Sequence, residues 1–324
     1  MKRREFIVLG GTAAVLASTG LARAQEWPTK GGVVISAYPA GGTSDIIARL
    51  VADEMTAKLG QQFVVENHPG ASGAIAGSRL ARSAPDGYTI MVTGSAPLAA
   101  NKVVQTNLAY DPQVDFAPIT VVCESPALLS ASLDAPAKSL QELLAFAKAN
   151  PGQVNIGNPG AGTKGHIVAA MIGQVAGVEV NHIPYKGSAP LVADLLGSHI
   201  HYALDAPSNY LPHIQAGKIQ GLAVSTSGRI PDLPEVMTVA EQGLDGFEST
   251  LWFGAVGPKD MPADIVNKVY ELIKAWATSP EATEKLGALG LTPVVNTPAE
   301  MVVSIEKEIE SIRPLVEAGL VQAT

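Results

Sequence analysis

Two short stretches constrain the fold of this chain more than anything else in it: YPAGGTSD, Tyr38 to Asp45, and NPGAGTKGH, Asn158 to His166. Each follows a β-rich run and precedes a helical pattern, so each reads as a glycine-rich turn from a strand into a helix. The second matches the dinucleotide fingerprint G-x-G-x-x-G at Gly160, Gly162 and Gly165, and Gly157 to Lys164 is nearly a phosphate-binding Walker loop. Neither nucleotide reading survives its own chemistry. A dinucleotide site needs an acidic residue at the end of the next strand to hold the ribose hydroxyls. Here Glu179 lies near the start of that predicted strand, which ends His182-Ile183-Pro184. A Walker loop needs Lys before Ser or Thr, and here Thr163 precedes Lys164.

What remains is geometry. A glycine-rich strand-to-helix turn exposes unpaired N–H groups at the positive end of a helix dipole, and such a site takes any small anion, carboxylate included. Thr163 is the N-cap candidate of the second turn, leaving Gly160 to Gly162 to present amides; Thr43 or Ser44 is that of the first. A single turn of this kind reads equally as a cap that serves stability alone. Two of them, far apart in the chain, suit a ligand gripped across a cleft. Asp45 in the first helical turn would repel an anion, so it turns back onto its own loop or bridging waters, meets a ligand amine, or is a plain first-turn acid. His166 in the matching helix either contacts the ligand or holds its own loop.

The rest of the chain repeats the pattern. Strand Val33 to Ala37, a helix with Ile46, Ile47, Leu50, Val51, Met55 and Leu59 on one stripe, strand Phe63 to Glu66, strand Tyr88 to Thr93 and strand Ile119 to Val122 form a first set. A second set has a helix opened by a Ser139/Glu142 capping box, strand Val154 to Gly157, a helix from Lys164 to Ala176, and strands Val178 to Ile183, His199 to Leu204 and Ile219 to Val224. A long helix from about Ala263 and one opened by Thr297/Glu300 close the chain. Alternating strands and helices of this kind imply α/β architecture with largely parallel sheets. No low-complexity linker marks a boundary, so one lobe interrupted by the other is the expected arrangement: residues 25–123 with 226–324, and residues 124–225.

Met1 to Arg4 is basic, Phe6 to Leu21 weakly apolar, and Ala22-Arg23-Ala24 an A-x-A cleavage site, so residues 1–24 read as a cleavable export signal, by the twin-arginine or the general secretory route. Gln25 in place of Cys after the cut argues against a lipid anchor. The whole chain has 22 basic and 30 acidic residues; removing four basic and one acidic with the signal leaves a charge of about −11. That balance argues against nucleic acid and anionic membrane surfaces as partners. Cys123 is the only cysteine, which excludes an internal disulfide and reads as a small buried residue. His182, His199, His201 and His213 lack metal-ligand spacing. Trp252 and Phe253 read first as core, and Tyr185 and Lys186 as either cleft-lining or turn-stabilising.

The sequence also carries LGQQFVVENHPGASG (Leu59 to Gly73), APDGYTI (Ala84 to Ile90), YDPQVDFAPI (Tyr110 to Ile119), PAKSLQELLAFAKANPG (Pro136 to Gly152), HIPYKGSAP (His182 to Pro190), DLLGSHI (Asp194 to Ile200), PHIQAGKI (Pro212 to Ile219) and an LP-x-V-x-T-x-A-E-x-G run from Leu233 to Gly243. With the two glycine-rich turns, these segments resemble the extracytoplasmic solute receptors of tripartite tricarboxylate transporters, the Bug receptors, over essentially the whole mature chain.

The resemblance implies a two-lobed periplasmic binding protein of the class with two crossover strands, bending near Cys123 and Ser225. A small carboxylate would sit between the lobes, held partly through waters, and be passed to membrane permease subunits. By position it implies a site of Ala40, Gly41, Gly42, Ser44 and Asp45 from one loop and Gly160, Ala161, Gly162, Thr163 and His166 from the other. Gly94, Ser95 and Asp205 fall where the cleft should be. Tyr38 stands where Phe is commoner and brings a hydroxyl to the ligand. The same resemblance implies a monomer with no cofactor, no metal and no enzymatic activity. An exported hydrolase is the rival class, but neither G-x-S-x-G nor H-E-x-x-H occurs, and only Ser95 and His166 offer themselves as a pair. A sensor signalling to a membrane kinase would use the same cleft.

Overall fold

The computed structural model describes residues 27–321, and the expected export signal lies outside them. The first half of the chain builds β1 (Gly32–Ser36), α1 (Thr43–Leu59), β2 (Phe63–Asn67), α2 (Ala74–Ala81) and β3 (Thr89–Gly94). A π-helical turn, Ala96–Ala100, then runs into α3 (Asn101–Val104), followed by β4 (Phe116–Pro126). The middle builds β5 (Leu128–Ser132), α4 (Leu140–Ala149), β6 (Asn155–Asn158), α5 (Lys164–Ala176), β7 (Asn181–Pro184), α6 (Ser188–Leu196), β8 (Tyr202–Asp205), α7 (Leu211–Gln215) and β9 (Ile219–Val224). The chain closes with β10 (Thr250–Pro258), α8 (Ala263–Ala277), α9 (Pro280–Gly287), β11 (Thr292–Pro293) and α10 (Pro298–Glu317).

These strands form two sheets, ordered β11-β4-β10-β3-β1-β2 and β7-β6-β8-β5-β9. Each contains a parallel trio whose central strand comes first in the chain: β1 between β2 and β3, and β6 between β7 and β8. Beside each trio runs an antiparallel strand, β10 against β3 and β5 against β8. The buried, β-branched run of β1 is what a strand covered on both faces requires. The two sheets are therefore the same motif used twice, with helices on their faces.

Helix ends follow local chemistry. Gly60 and Gly177 stop α1 and α5 in the left-handed conformation, with φ of 68° and 63°. The capping box expected at α10 is complete, whereas at α4 only Ser139 caps, because the Glu142 carboxylate accepts from Lys138 N–H at 2.7 Å. Strand β8 starts later than its apolar pattern predicts, since Gly197 to Ile200 are turned back onto α6, with His199 N–H donating to Asp194 O at 2.9 Å.

The chain crosses between sheets twice. The first crossing comes at Ala127, because β4 stays paired with β10 as far as Pro126; Cys123 lies inside the first sheet, opposite Phe253. The second runs from Ser225 to Ser249, and its interior packs on the second sheet. Ile230, Leu233 and Val236 fill that lobe's core, and Gln242 bridges Leu222 O and the N–H of Leu140. Residues 124–126 thus pair within the first sheet, and Ile230, Leu233 and Val236 of the segment 226–249 pack onto the second. The crossings are tied together, Ala127 N–H donating to Ser225 Oγ at 2.8 Å and Ser249 N–H to Ser225 O at 2.9 Å. Behind the cleft, Ala100 and Val104 of the first lobe, Ile167 and Ala170 of α5, and Ile312 and Leu315 of α10 form one buried apolar cluster that joins the lobes.

Candidate functional site

Both glycine-rich loops leave the carboxyl end of the central strand of a parallel trio, where open α/β sheets form their binding crevices. They meet across a cavity of about 50 Å³. Tyr38, Gly42, Thr43, Ser44, Gly94, Ser95 and Ala96 line it from the first lobe, Pro159, Thr163, Lys164, Gly165, Ser188 and Asp205 from the second, and Leu251, Trp252 and Phe253 from β10. A space of this size holds roughly four waters or a comparable small ligand.

The two loops match position by position. In α1 the N-cap is Gly42, so Thr43, Ser44 and Asp45 fill the first turn; in α5 the N-cap is Thr163, followed by Lys164, Gly165 and His166. The first residue of each turn reaches the opposite lobe. Thr43 Oγ1 lies 2.5 Å from Ser208 Oγ, and Lys164 Nζ donates to Glu308 Oε2 of α10 at 2.9 Å, a pair 11% and 7% exposed. The second seats the helix on the third strand of its own trio. Ser44 Oγ accepts from Gly94 N–H at 3.1 Å, while Gly165 runs so close to β8 that a Cβ there would stand 2.2 Å from Leu204 O. The fingerprint glycine at 165 therefore does what it does in dinucleotide folds, allowing helix and strand to touch.

The third residue clamps its own loop. Asp45 Oδ2 accepts from Gly41 N–H at 2.9 Å, and His166 Nδ1 accepts from Gly162 N–H, also at 2.9 Å. Asp45 further accepts from Arg49 Nε at 2.9 Å and Asn67 Nδ2 at 2.8 Å, so both oxygens are turned onto its own lobe and Asp45 does not line the cavity. Burial alone would raise its pKa, but the hydrogen bonds from Arg49, Gly41 and Asn67 outweigh burial and hold it below the usual carboxylate range. Burial, and then the neighbouring His182 ring at 4.4 Å, pushes His166 down to about 4, so it is neutral and able to accept.

This geometry corrects the expected caps and amide donors. Neither Thr43 nor Ser44 is the N-cap of α1, and Thr163, though at the N-cap of α5, spends its hydroxyl on Gly160 O at 2.7 Å. The Gly160 and Gly162 N–H groups are taken by Asn158 Oδ1 and His166. Ala161 N–H and the first three N–H groups of each helix, Thr43 to Asp45 and Lys164 to His166, have no partner among the described residues, and of these Thr43, Ser44, Lys164 and Gly165 belong to the cavity wall. Two helix starts thus aim unpaired N–H groups and positive dipole ends at one space, which is chemistry for an anion.

Asp205 closes β8 at the cavity wall, 4% exposed. Its Oδ1 accepts from Ala206 N–H at 2.7 Å and its Oδ2 lies 3.5 Å from Tyr210 Oη. Burial pushes its carboxyl up to about 6, offset in part by hydrogen bonds from Ser188, Ala206 and Tyr210.

Of the residues expected at the site, Tyr38, Gly42, Ser44, Gly94, Ser95, Thr163 and Asp205 line the cavity. Ala40 and Gly41 face solvent on the outer side of their loop, while Asp45, Gly160, Gly162 and His166 are buried and build the loops; Ala161 is half-buried. Thr43, Lys164, Gly165, Ser188 and the β10 triplet are lining residues that sequence reasoning did not select. Ser95 and His166 do not form a nucleophile–base pair, because Ser95 Oγ donates to Glu308 Oε1 at 3.2 Å and His166 is engaged with Gly162. Among the described residues, no group of three or more His, Cys, Asp or Glu is placed to hold a metal ion, and no helix is long and apolar enough to cross a membrane.

Comparison with known proteins gives the arrangement a family. Residues 47–320 match the tripartite tricarboxylate transporter family receptor model. The chain is 33% identical to the protein BugT of Bordetella pertussis over 306 residues, 94% of this chain and 92% of that one. It superposes on R. palustris Rpa4515, solved with adipate, with a TM-score of 0.88 and 33% identity over 92% of this chain and all of that one. It superposes on MatC from Rhodopseudomonas palustris, solved with bound malate, with a TM-score of 0.83 and 28% identity over 89% and 99% of the two chains. This chain belongs to the tripartite tricarboxylate transporter receptor family, the Bug receptors, which are periplasmic solute-binding proteins and not enzymes.

Proposed function

We propose that this receptor captures a small carboxylate-bearing metabolite between its lobes in the periplasm, after removal of residues 1–24, and delivers it as a monomer to the membrane permease of a tripartite tricarboxylate transporter. The lobes are taken as residues 27–126 with 250–321, and 127–249. The observation that carries the reading is the convergence of two helix starts, with unpartnered N–H groups at Thr43, Ser44, Lys164 and Gly165, on one cavity. The ligand carboxylate lies between those groups, directly or through water, while Tyr38, Leu251, Trp252 and Phe253 cover its carbon skeleton. Adipate in Rpa4515 and malate in MatC support the carboxylate class. Closure about the tied crossings at Ala127 and Ser225 then forms the surface that a permease reads.

A thermal-shift screen tests the reading. Purified protein, refolded to remove carried ligand, is heated with mono-, di- and tricarboxylates and with their amide analogues. A ligand at a hundredfold over its Kd adds about 2.7 kcal/mol of stability, a shift of several degrees. The reading expects stabilisation by an acid and none by its amide. Folded protein that responds to no carboxylate, or equally to acid and amide, would overturn it.

A further inference from the structure

The two halves of the cavity match in backbone but not in charge. Gly94 ends β3 and Asp205 ends β8, the third strand of each trio, so the same topological corner carries no side chain in one lobe and a carboxyl in the other. Lys164, the one cation that lines the cavity among the described residues, has its ammonium on Glu308 at 2.9 Å. Among the described residues, Asp205 has no Lys, Arg or His within ion-pair distance.

Among the described residues none of the groups around it is cationic, and the flanking strands β5 and β6 carry no titratable residue. Tyr38 faces it from the loop after β1, Ser188 from the start of α6 and Tyr210 from the start of α7, with Tyr185 beyond Tyr210. On α5, packed against β8, Lys164 is paired and His166 is neutral. A ligand carboxylate entering this space therefore meets a second, buried and uncompensated carboxylate, and two such groups do not both stay ionised in one desolvated site.

We propose that Asp205 takes up one proton from solvent as the ligand carboxylate enters the cleft, so that the receptor captures a carboxylate together with a proton and Asp205 becomes a hydrogen-bond donor to the bound acid. This rests on the carboxylate-receptor reading above. Burial pushes the Asp205 carboxyl up to about 6 before a ligand enters, so it is mainly ionised at pH 7 to 8 and binding must supply the missing proton. Affinity then falls about tenfold per pH unit between pH 7 and 8 and levels off below about 6, where the proton is already in place.

Isothermal titration calorimetry of the purified protein, with adipate, malate and the tightest binder of the carboxylate screen, tests this at pH 6, 7 and 8. Titrations at each pH in two amine buffers that hold that pH and differ in ionisation heat count the protons exchanged. The expected result is uptake of close to one proton per ligand at pH 8, about half a proton at pH 6, where the free carboxyl is half protonated, and the affinity slope just given. Asp205→Asn cannot ionise and keeps a donor in place; it should raise affinity at pH 8 by at least tenfold and remove both slope and uptake. Tight binding that is flat in pH, with no uptake, would overturn the inference and leave the receptor reading standing. So would a tightest ligand that bears an ammonium group and loses its binding in Asp205→Asn, since the carboxylate would then be an ion-pair partner. Absence of binding by every carboxylate would overturn both.

Discussion

The two glycine-rich loops solve one geometric problem with different chemistry. In each, the first residue of the helix reaches across the cleft, the second seats the helix on its own sheet, and the third clamps the loop by accepting from a glycine N–H four residues earlier. In the first loop these tasks fall to Thr43, Ser44 and Asp45; in the second, to Lys164, Gly165 and His166. The uncharged reach goes with the anionic clamp, and the charged reach with the neutral clamp. What the fold requires is a residue that crosses the cleft, one that seats the helix on its sheet and an acceptor that clamps the loop; charge is free to differ, and it decides how each half responds to mutation and pH.

The reach across the cleft should separate the loops most. Lys164→Met leaves the buried Glu308 carboxylate with the Ser95 hydroxyl but no cation, at a cost of about 3 kcal/mol, and should weaken ligand affinity about a hundredfold in calorimetric titration. The matched change Thr43→Ala removes one neutral hydrogen bond of about 1 kcal/mol and should weaken it about fivefold. Equal effects would mean that the lobes do not close through these pairs.

Seating comes next. Gly165→Ala drives a Cβ to 2.2 Å from Leu204 O, whereas the same change at Gly42 meets nothing nearer than Pro39 O at 3.5 Å. Gly165→Ala should cost about 1–3 kcal/mol and lower the melting temperature by several degrees, with Gly42→Ala close to the wild type. A Gly165→Ala protein of unchanged melting temperature would show that α5 does not need its contact with β8.

The clamps differ least in size but most clearly in pH. His166 is held at about 4 in the fold against an ordinary value near 6.5, so the neutral form belongs to the folded state. Its contribution is full above about pH 6.5 and is lost as pH falls towards 4. Asp45 is held below the ordinary carboxylate range, so its contribution is present above about pH 4 and lost only below that. In denaturant titrations across pH 3 to 8, His166→Gln should remove the upper stage of acid destabilisation and Asp45→Asn the lower one. A single stage, removed by either change, would dissolve the distinction.

Much of this half-symmetry is legible in the sequence, because strand, glycine turn and helix start are neighbours in the chain and their demands are local. Gly165 appears as the third glycine of a nucleotide fingerprint, and its packing role survives although the nucleotide reading fails. The clamps Asp45 and His166 appear with their loop roles among the alternatives. The partners that cross the cleft do not appear. Glu308 lies 144 residues from Lys164 and Ser208 lies 165 from Thr43, and no periodicity links them. Trp252 and Phe253 read as core because they are buried, 7% and 6% exposed, yet they also wall the cavity, and burial patterns do not separate the two roles. The course of the second crossing after Ser225 is hidden for a related reason: the apolar residues of 226–249 mark a core without saying which lobe owns it.

The central claim is that both helix starts hold one ligand carboxylate between them, and the structure of the protein crystallised with the tightest acid from the thermal-shift screen tests it most directly. The account expects a carboxylate within hydrogen-bond reach, or one water, of the Thr43 or Ser44 N–H on one side and the Lys164 or Gly165 N–H on the other. A ligand whose carboxylate engages neither helix start, or only one of them with the lobes closed, would contradict it.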